Sequence, residues 1–116
     1  MDVVLNFLEY ARKFGKILFV VEGKNDKKAL LALGLENVLD ISGRRLSDIA
    51  NYICSSNFRQ IAILTDFDKE GNEKHKLLVK LLEINVVKIN SQLRKKFISI
   101  FKARKVEDIA SLLNLA

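Results

Sequence analysis

Ile17-Leu18-Phe19-Val20-Val21-Glu22-Gly23 joins five consecutive apolar residues to an acid and a glycine. Such an unbroken apolar run is the pattern of a strand covered on both faces. It returns at Ile61-Ala62-Ile63-Leu64-Thr65-Asp66, and in shorter form at Val38-Leu39-Asp40-Ile41 and Val86-Val87-Lys88-Ile89. Between these runs the apolar spacing turns helical. Val4, Phe7, Leu8 and Ala11 predict a helix over 2–14 ended by Gly15, and residues 26–33 a helix stopped by Gly34. Leu46, Ile49, Ala50, Ile53 and Cys54 mark a third, and Leu77, Leu78, Leu81 and Leu82 a fourth. Ser91 is the expected N-cap of a fifth, with Leu93, Phe97, Ile100 and Phe101 inward, before a last short helix through Val106, Ile109, Ala110 and Leu113. Buried strands alternating with helices predict an α/β fold: a central, mostly parallel four-stranded sheet with helices on both faces.

A chain of 116 residues is expected to form one domain, 1–116. Its core spans about 17–90, flanked by the first helix and a basic helical segment over 91–114. No apolar run reaches the roughly 20 residues of a membrane span, so no membrane partner is expected. With Cys54 as the one cysteine, no internal disulfide can form, and a reducing, cytoplasmic location is expected. The net charge of +6 is concentrated. Between Ile84 and Val106 lie seven bases (Lys88, Arg94, Lys95, Lys96, Lys102, Arg104 and Lys105) and no acid, whereas the remainder carries 13 bases against 14 acids. A basic stretch of this kind suits nucleic acid, although a solvated helix face has the same composition.

Ligands of open α/β sheets gather at the carboxyl ends of the strands. Acids stand directly after two of the most apolar strands: Glu22 after the first, Asp66 and Asp68 after the third. A few carboxylate oxygens with retained waters are the ligand set of Mg²⁺, and crowded carboxylates invite a cation. An Asp after a strand also commonly caps the next helix, and the residues alone leave both roles open. Lys24 and Arg44 follow the first two strands and could meet phosphates, or simply face water. Arg94, Lys95 and Lys96 open the helix after the fourth strand as further phosphate candidates. His75, between Lys74 and Lys76, reads as an exposed helix residue, and Cys54 as core. No Walker A or GxGxxG pattern occurs.

Val20-Val21-Glu22-Gly23-Lys24-x-Asp26, followed by Leu64-Thr65-Asp66-Phe67-Asp68-Lys69-Glu70-Gly71, resembles the two signature motifs of the Toprim domain. That domain is shared by topoisomerases, bacterial-type primases, overcoming-lysogenization-defect nucleases and the 5S ribosomal RNA maturase M5. Small stand-alone Toprim proteins of archaea give the nearest likeness. Phe67 stands where topoisomerases and the maturase commonly have Pro. The resemblance implies a compact, Rossmann-like Toprim fold. It implies one or two Mg²⁺ ions, replaceable by Mn²⁺, held by Asp66 and Asp68, with Glu22 as ligand or general acid/base. Supporting roles fall to Gly23, Asp26, Glu70, Gly71, Glu107 and Asp108.

Topoisomerase cleavage needs a tyrosine nucleophile, and Tyr10 and Tyr52 both fall on predicted helices. Primase activity needs template-handling domains that a chain of this length lacks. The expected function is therefore metal-dependent phosphodiester hydrolysis of structured RNA or DNA, with Glu22, Asp66 and Asp68 catalytic. The competing expectation is a non-catalytic, metal-dependent nucleic-acid-binding module serving a protein partner. A haloacid-dehalogenase phosphatase also uses Asp-x-Asp, but it wants Gly-Thr after the pair, where Lys69-Glu70-Gly71 stands.

Overall fold

A computed structural model describes residues 2–66, 68–83 and 87–101. Five helices and four strands alternate: α1 (Asp2–Arg12), β1 (Leu18–Val21), α2 (Lys24–Leu33), β2 (Val38–Asp40), α3 (Leu46–Cys54), β3 (Gln60–Ile63), α4 (Lys69–Glu83), β4 (Lys88–Ile89) and α5 (Ser91–Phe101). The strands form one sheet in the order β2-β1-β3-β4, and every pairing is parallel.

Strand residues alternate between two apolar layers, as the two-residue repeat of a strand requires. Phe19, Val21, Ala62 and Leu64 point into a layer closed by Phe7 and Ala11 of α1, Leu30 and Leu33 of α2, and Leu93 and Phe97 of α5. Within it the Phe7 and Phe97 rings meet edge to face at 5.2 Å. Leu18, Val20, Ile61 and Ile63 point the other way, onto Ile49, Ala50 and Ile53 of α3 and Leu78 and Leu82 of α4. Both faces of β1 and β3 are thus covered, which is why their sequences are apolar without alternation.

The predicted elements that fall within the described residues are present, with shifted ends. α1 stops at Arg12, where Lys13 and Phe14 turn toward Gly15 at φ 77°. α2 begins two residues early, at Lys24, because Asp26 Oδ2 accepts the Gly23 N–H at 3.1 Å and draws the chain into the helix. Asn90, not Ser91, caps α5: its Oδ1 accepts the Leu93 N–H at 3.0 Å, while its Nδ2 donates to Gln60 Oε1 at 2.7 Å. One side chain therefore caps the helix and ties it to β3. The fourth strand covers Lys88 and Ile89; Val86 lies outside the described residues, as does the helix expected around Val106 to Leu113.

Candidate active site at the carboxyl edge of the sheet

β1 and β3 are neighbours, and the Leu64 N–H donates to the Val20 carbonyl at 2.7 Å, so their carboxyl ends finish level. Glu22 and Asp66 leave that edge side by side. Glu22 Oε1 accepts the Asp66 N–H at 3.1 Å, a bond spanning 44 residues of chain. Asp68 takes the capping role: its Oδ1 accepts the Gly71 N–H at 2.8 Å at the start of α4. Thr65, fully buried, donates from Oγ1 to the Gly71 carbonyl at 2.9 Å and locks the turn from the other side. Gly71 is required here by space. A Cβ on it would overlap the Asp66 carbonyl and stand 2.8 Å from Glu22 Oε1.

Two protein cations balance these acids. Lys74 Nζ stands 3.4 Å from Glu22 Oε2 and 3.5 Å from Glu70 Oε1. Burial acts to lower the Lys74 pKa, but the two glutamates outweigh it and hold the ammonium above its usual range. Arg94 departs from the expected surface phosphate contact, because it is a buried side chain reaching from α5 to the same edge. Its Nη1 donates to the Ile63 carbonyl at 2.8 Å, the Thr65 carbonyl at 3.1 Å and Thr65 Oγ1 at 3.2 Å; its Nη2 donates to Asn72 Oδ1 at 2.9 Å. Burial pulls its pKa down to about 10 against the opposing pull of Glu22 and Asp66, so it stays charged at neutral pH.

Among the described residues, no three His, Cys, Asp or Glu side chains converge as a ready metal cage. Lys74 and Arg94 thus offset the crowded carboxylates in a second way, besides any bound ion. The donors still suit a hard divalent cation in kind: carboxylate oxygens from adjacent strand ends, on a partly exposed edge. Glu22, Asp66 and Asp68 are the residues that would hold it.

The other candidates spread along this edge. Gly23 and Asp26 form the entry to α2, with Lys24 exposed beside them. Arg44 is exposed at the end of the β2–α3 turn, near Asp40. Glu70 is largely in water beyond Lys74. Lys95 and Lys96 are exposed on α5, and Lys96 leans over the Tyr10 ring of α1 at 5.5 Å. Glu107 and Asp108, like Lys102, Arg104 and Lys105, lie outside the described residues.

A comparison with protein-family models matches residues 17–101 to the Toprim domain. The chain belongs to the Toprim family. Relatives of this Toprim chain include a UPF0292 protein of Pyrococcus furiosus, 34% identical over 108 residues, covering 90% of this chain and 79% of that one. A UPF0292 protein of Methanocaldococcus jannaschii is 30% identical over 94 residues, covering 80% and 73%. Both are archaeal. Among solved structures, a protein of Aquifex aeolicus superposes with a TM-score of 0.75 at 25% identity, covering 92% of this chain and 94% of that one. No described helix is long and apolar enough to cross a membrane.

Lys74 and Asn72 went unread as parts of the Toprim edge. A signal for Lys74 existed: with Gly71, Leu78 and Leu82 it falls on the inward row of α4 at three- and four-residue steps. His75 is a correction too, since it is half-buried and not exposed. Burial first, then the charges of Arg94 and Lys76, push its pKa down from 6.5 to about 4. The unfolded chain therefore binds a proton on His75 that the folded chain refuses across that window, and stability falls as pH drops through it. His75→Gln is expected to flatten the thermal midpoint between pH 6.5 and 4 relative to the parent. Identical pH profiles would refute this role for His75.

Proposed function

We propose that this Toprim protein hydrolyses phosphodiester bonds in nucleic acid with the help of a divalent metal ion, Mg²⁺ first. The observation that carries the proposal is the pairing of β1 with β3, which sets Glu22 against the Asp66 main chain at the edge where Asp68 opens α4. A bound divalent ion supplies neutralisation of the charge developing on phosphoryl oxygens. The chain's own residues do the rest. Asp66 and Asp68 present oxygens to the ion, and α4 fixes Asp68 through its cap. Glu22, held by the Asp66 N–H and Lys74, is placed to ligate or to accept a proton from an attacking water. Water suffices as nucleophile, since both tyrosines lie on α1 and α3.

Asp66→Asn and Asp68→Asn provide the test, because asparagine nearly matches aspartate in shape and, at 68, caps a helix about as well. Each is expected to leave the urea midpoint near the parent value while lowering Mg²⁺-dependent cleavage of RNA or DNA by about 100-fold or more. Equal cleavage by parent and variants would sink the proposal. The neutralisation of Glu22 by Lys74 favours a second reading, a nucleic-acid-binding module without turnover. Salt-sensitive binding with no multiple-turnover cleavage under Mg²⁺ or Mn²⁺ would select it.

A further inference from the structure

Beside Glu22, on the β2 side of the edge, lies a cleft of about 380 Å³ whose lining includes Glu22, Ser42, Gly43, Arg44, Arg45 and Lys74. A second hollow of about 400 Å³, lined by Gly23, Lys24, Asn25 and Asp26, shares Ser42 as a wall. Together they form a groove across the carboxyl ends of β1 and β2.

The turn that builds the groove is fixed. The Arg44 N–H donates to the Ile41 carbonyl at 3.2 Å, and Ser42 Oγ donates to Asp40 Oδ1 at 2.7 Å. Gly43 turns the chain at φ 71°, which a side chain would resist. That Ser42 bond leads the influences holding the Asp40 carboxyl below its usual pKa, with Lys27 and Arg44 adding to it. The turn delivers two consecutive arginines to the groove, both exposed. Among the described residues, neither has a carboxylate within ion-pairing distance. Lys24 extends the basic lining, whereas the charge of Glu22 is already met by Lys74.

From this arrangement we infer that the Ser42–Arg45 turn and the groove it lines form a phosphate-binding subsite for the nucleic-acid strand, working without the metal. The inference rests on the proposed nucleic-acid substrate and adds where the strand lies. Guanidinium forks match the oxygen pairs of a phosphate, so two arginines on a fixed turn can hold one or two phosphates in register. The groove opens directly onto Glu22, so a strand seated there has its next phosphodiester beside the carboxylates. Lys95 and Lys96 stand on α5, on the opposite face of the sheet from α3, and serve the track less.

The test is direct binding in EDTA, read by the anisotropy of a labelled single-stranded RNA oligonucleotide across a salt series. Arg44→Gln/Arg45→Gln is expected to weaken binding about 10-fold and reduce the slope of log K against log salt by about 1 to 2. Arg44→Lys/Arg45→Lys should recover the slope but only part of the affinity, because lysine keeps the charge and loses the fork. Oligonucleotides with a 5′-phosphate or a 5′-hydroxyl separate a terminal monoester from an internal diester; a preference for the first, or none, each fits the subsite. Parent-like binding by the Gln variant overturns the inference, as does a larger loss in Lys95→Gln/Lys96→Gln. Such a failure leaves the cleavage test at Asp66 and Asp68 standing, since that test reads turnover and this one reads binding without metal.

Discussion

Arg94→Met should cost about 3–5 kcal/mol of folding stability, the loss expected when one member of a buried, compensated charge set is removed. Arg94 satisfies the Ile63 and Thr65 carbonyls and Asn72 Oδ1 while its charge offsets Glu22 and Asp66. Methionine would fill much of the space but leave those acceptors unmet and, among the described residues, Lys74 as the cation beside the acids. Arg94→Lys should fall between the two, because a single ammonium cannot reach both the β3 carbonyls and Asn72. Urea unfolding of the three proteins at neutral pH measures this. A Met variant within about 1 kcal/mol of the parent would show that the guanidinium is not what holds the edge together.

Gly71→Ala is expected to destabilise by about 3 kcal/mol, at the upper end for forcing a methyl into a filled space. The sign is the informative part. Within a helix this exchange ordinarily stabilises by about 1 kcal/mol, and Gly71 is not among the residues with positive φ. Only the overlap of the new methyl with the Asp66 carbonyl and Glu22 can reverse it. To relieve that overlap, the first turn of α4 must move away from Asp66 at the end of β3, and from Glu22 beside it. The Thr65–Gly71 bond, the Asp68 cap and the Glu22–Asp66 bond would then stretch together. Urea unfolding combined with the cleavage assay tests the claim, and an alanine variant more stable than the parent would refute it.

The strands were legible because burial on both faces removes polar residues, leaving runs such as Ile61-Ala62-Ile63-Leu64 that no surface element would carry. The placement of Glu22 and Asp66 followed from the same reading, since residues leaving adjacent parallel strands must reach one edge. What sequence obscured was the direction of side chains within charge runs. Arg94 stands next to Lys95 and Lys96 and reads as one of three surface cations. Yet it also follows Leu93 and precedes Phe97 on the buried side of α5, and tertiary packing put it inside. Asp68 shows a different limit. Capping and metal ligation call for the same residue at the same place, and only the bond to the Gly71 N–H reveals that it caps. His75 reads as exposed from its lysine neighbours yet is half-buried, because residues that share a helix face lie three and four positions apart, not side by side.

The bond between Glu22 and the Asp66 main chain bears on how the protein folds. It crosses 44 residues, and it can form only once β1 has found β3 after α2, β2 and α3 have been passed over. Closing so long a loop is an entropic cost that local helix formation does not offset, so the central strand pairing is expected among the slower steps. Until β1 and β3 have paired, Glu22 and Asp66 stand apart, so a newly made chain gains its candidate chemistry only once that central pairing has formed.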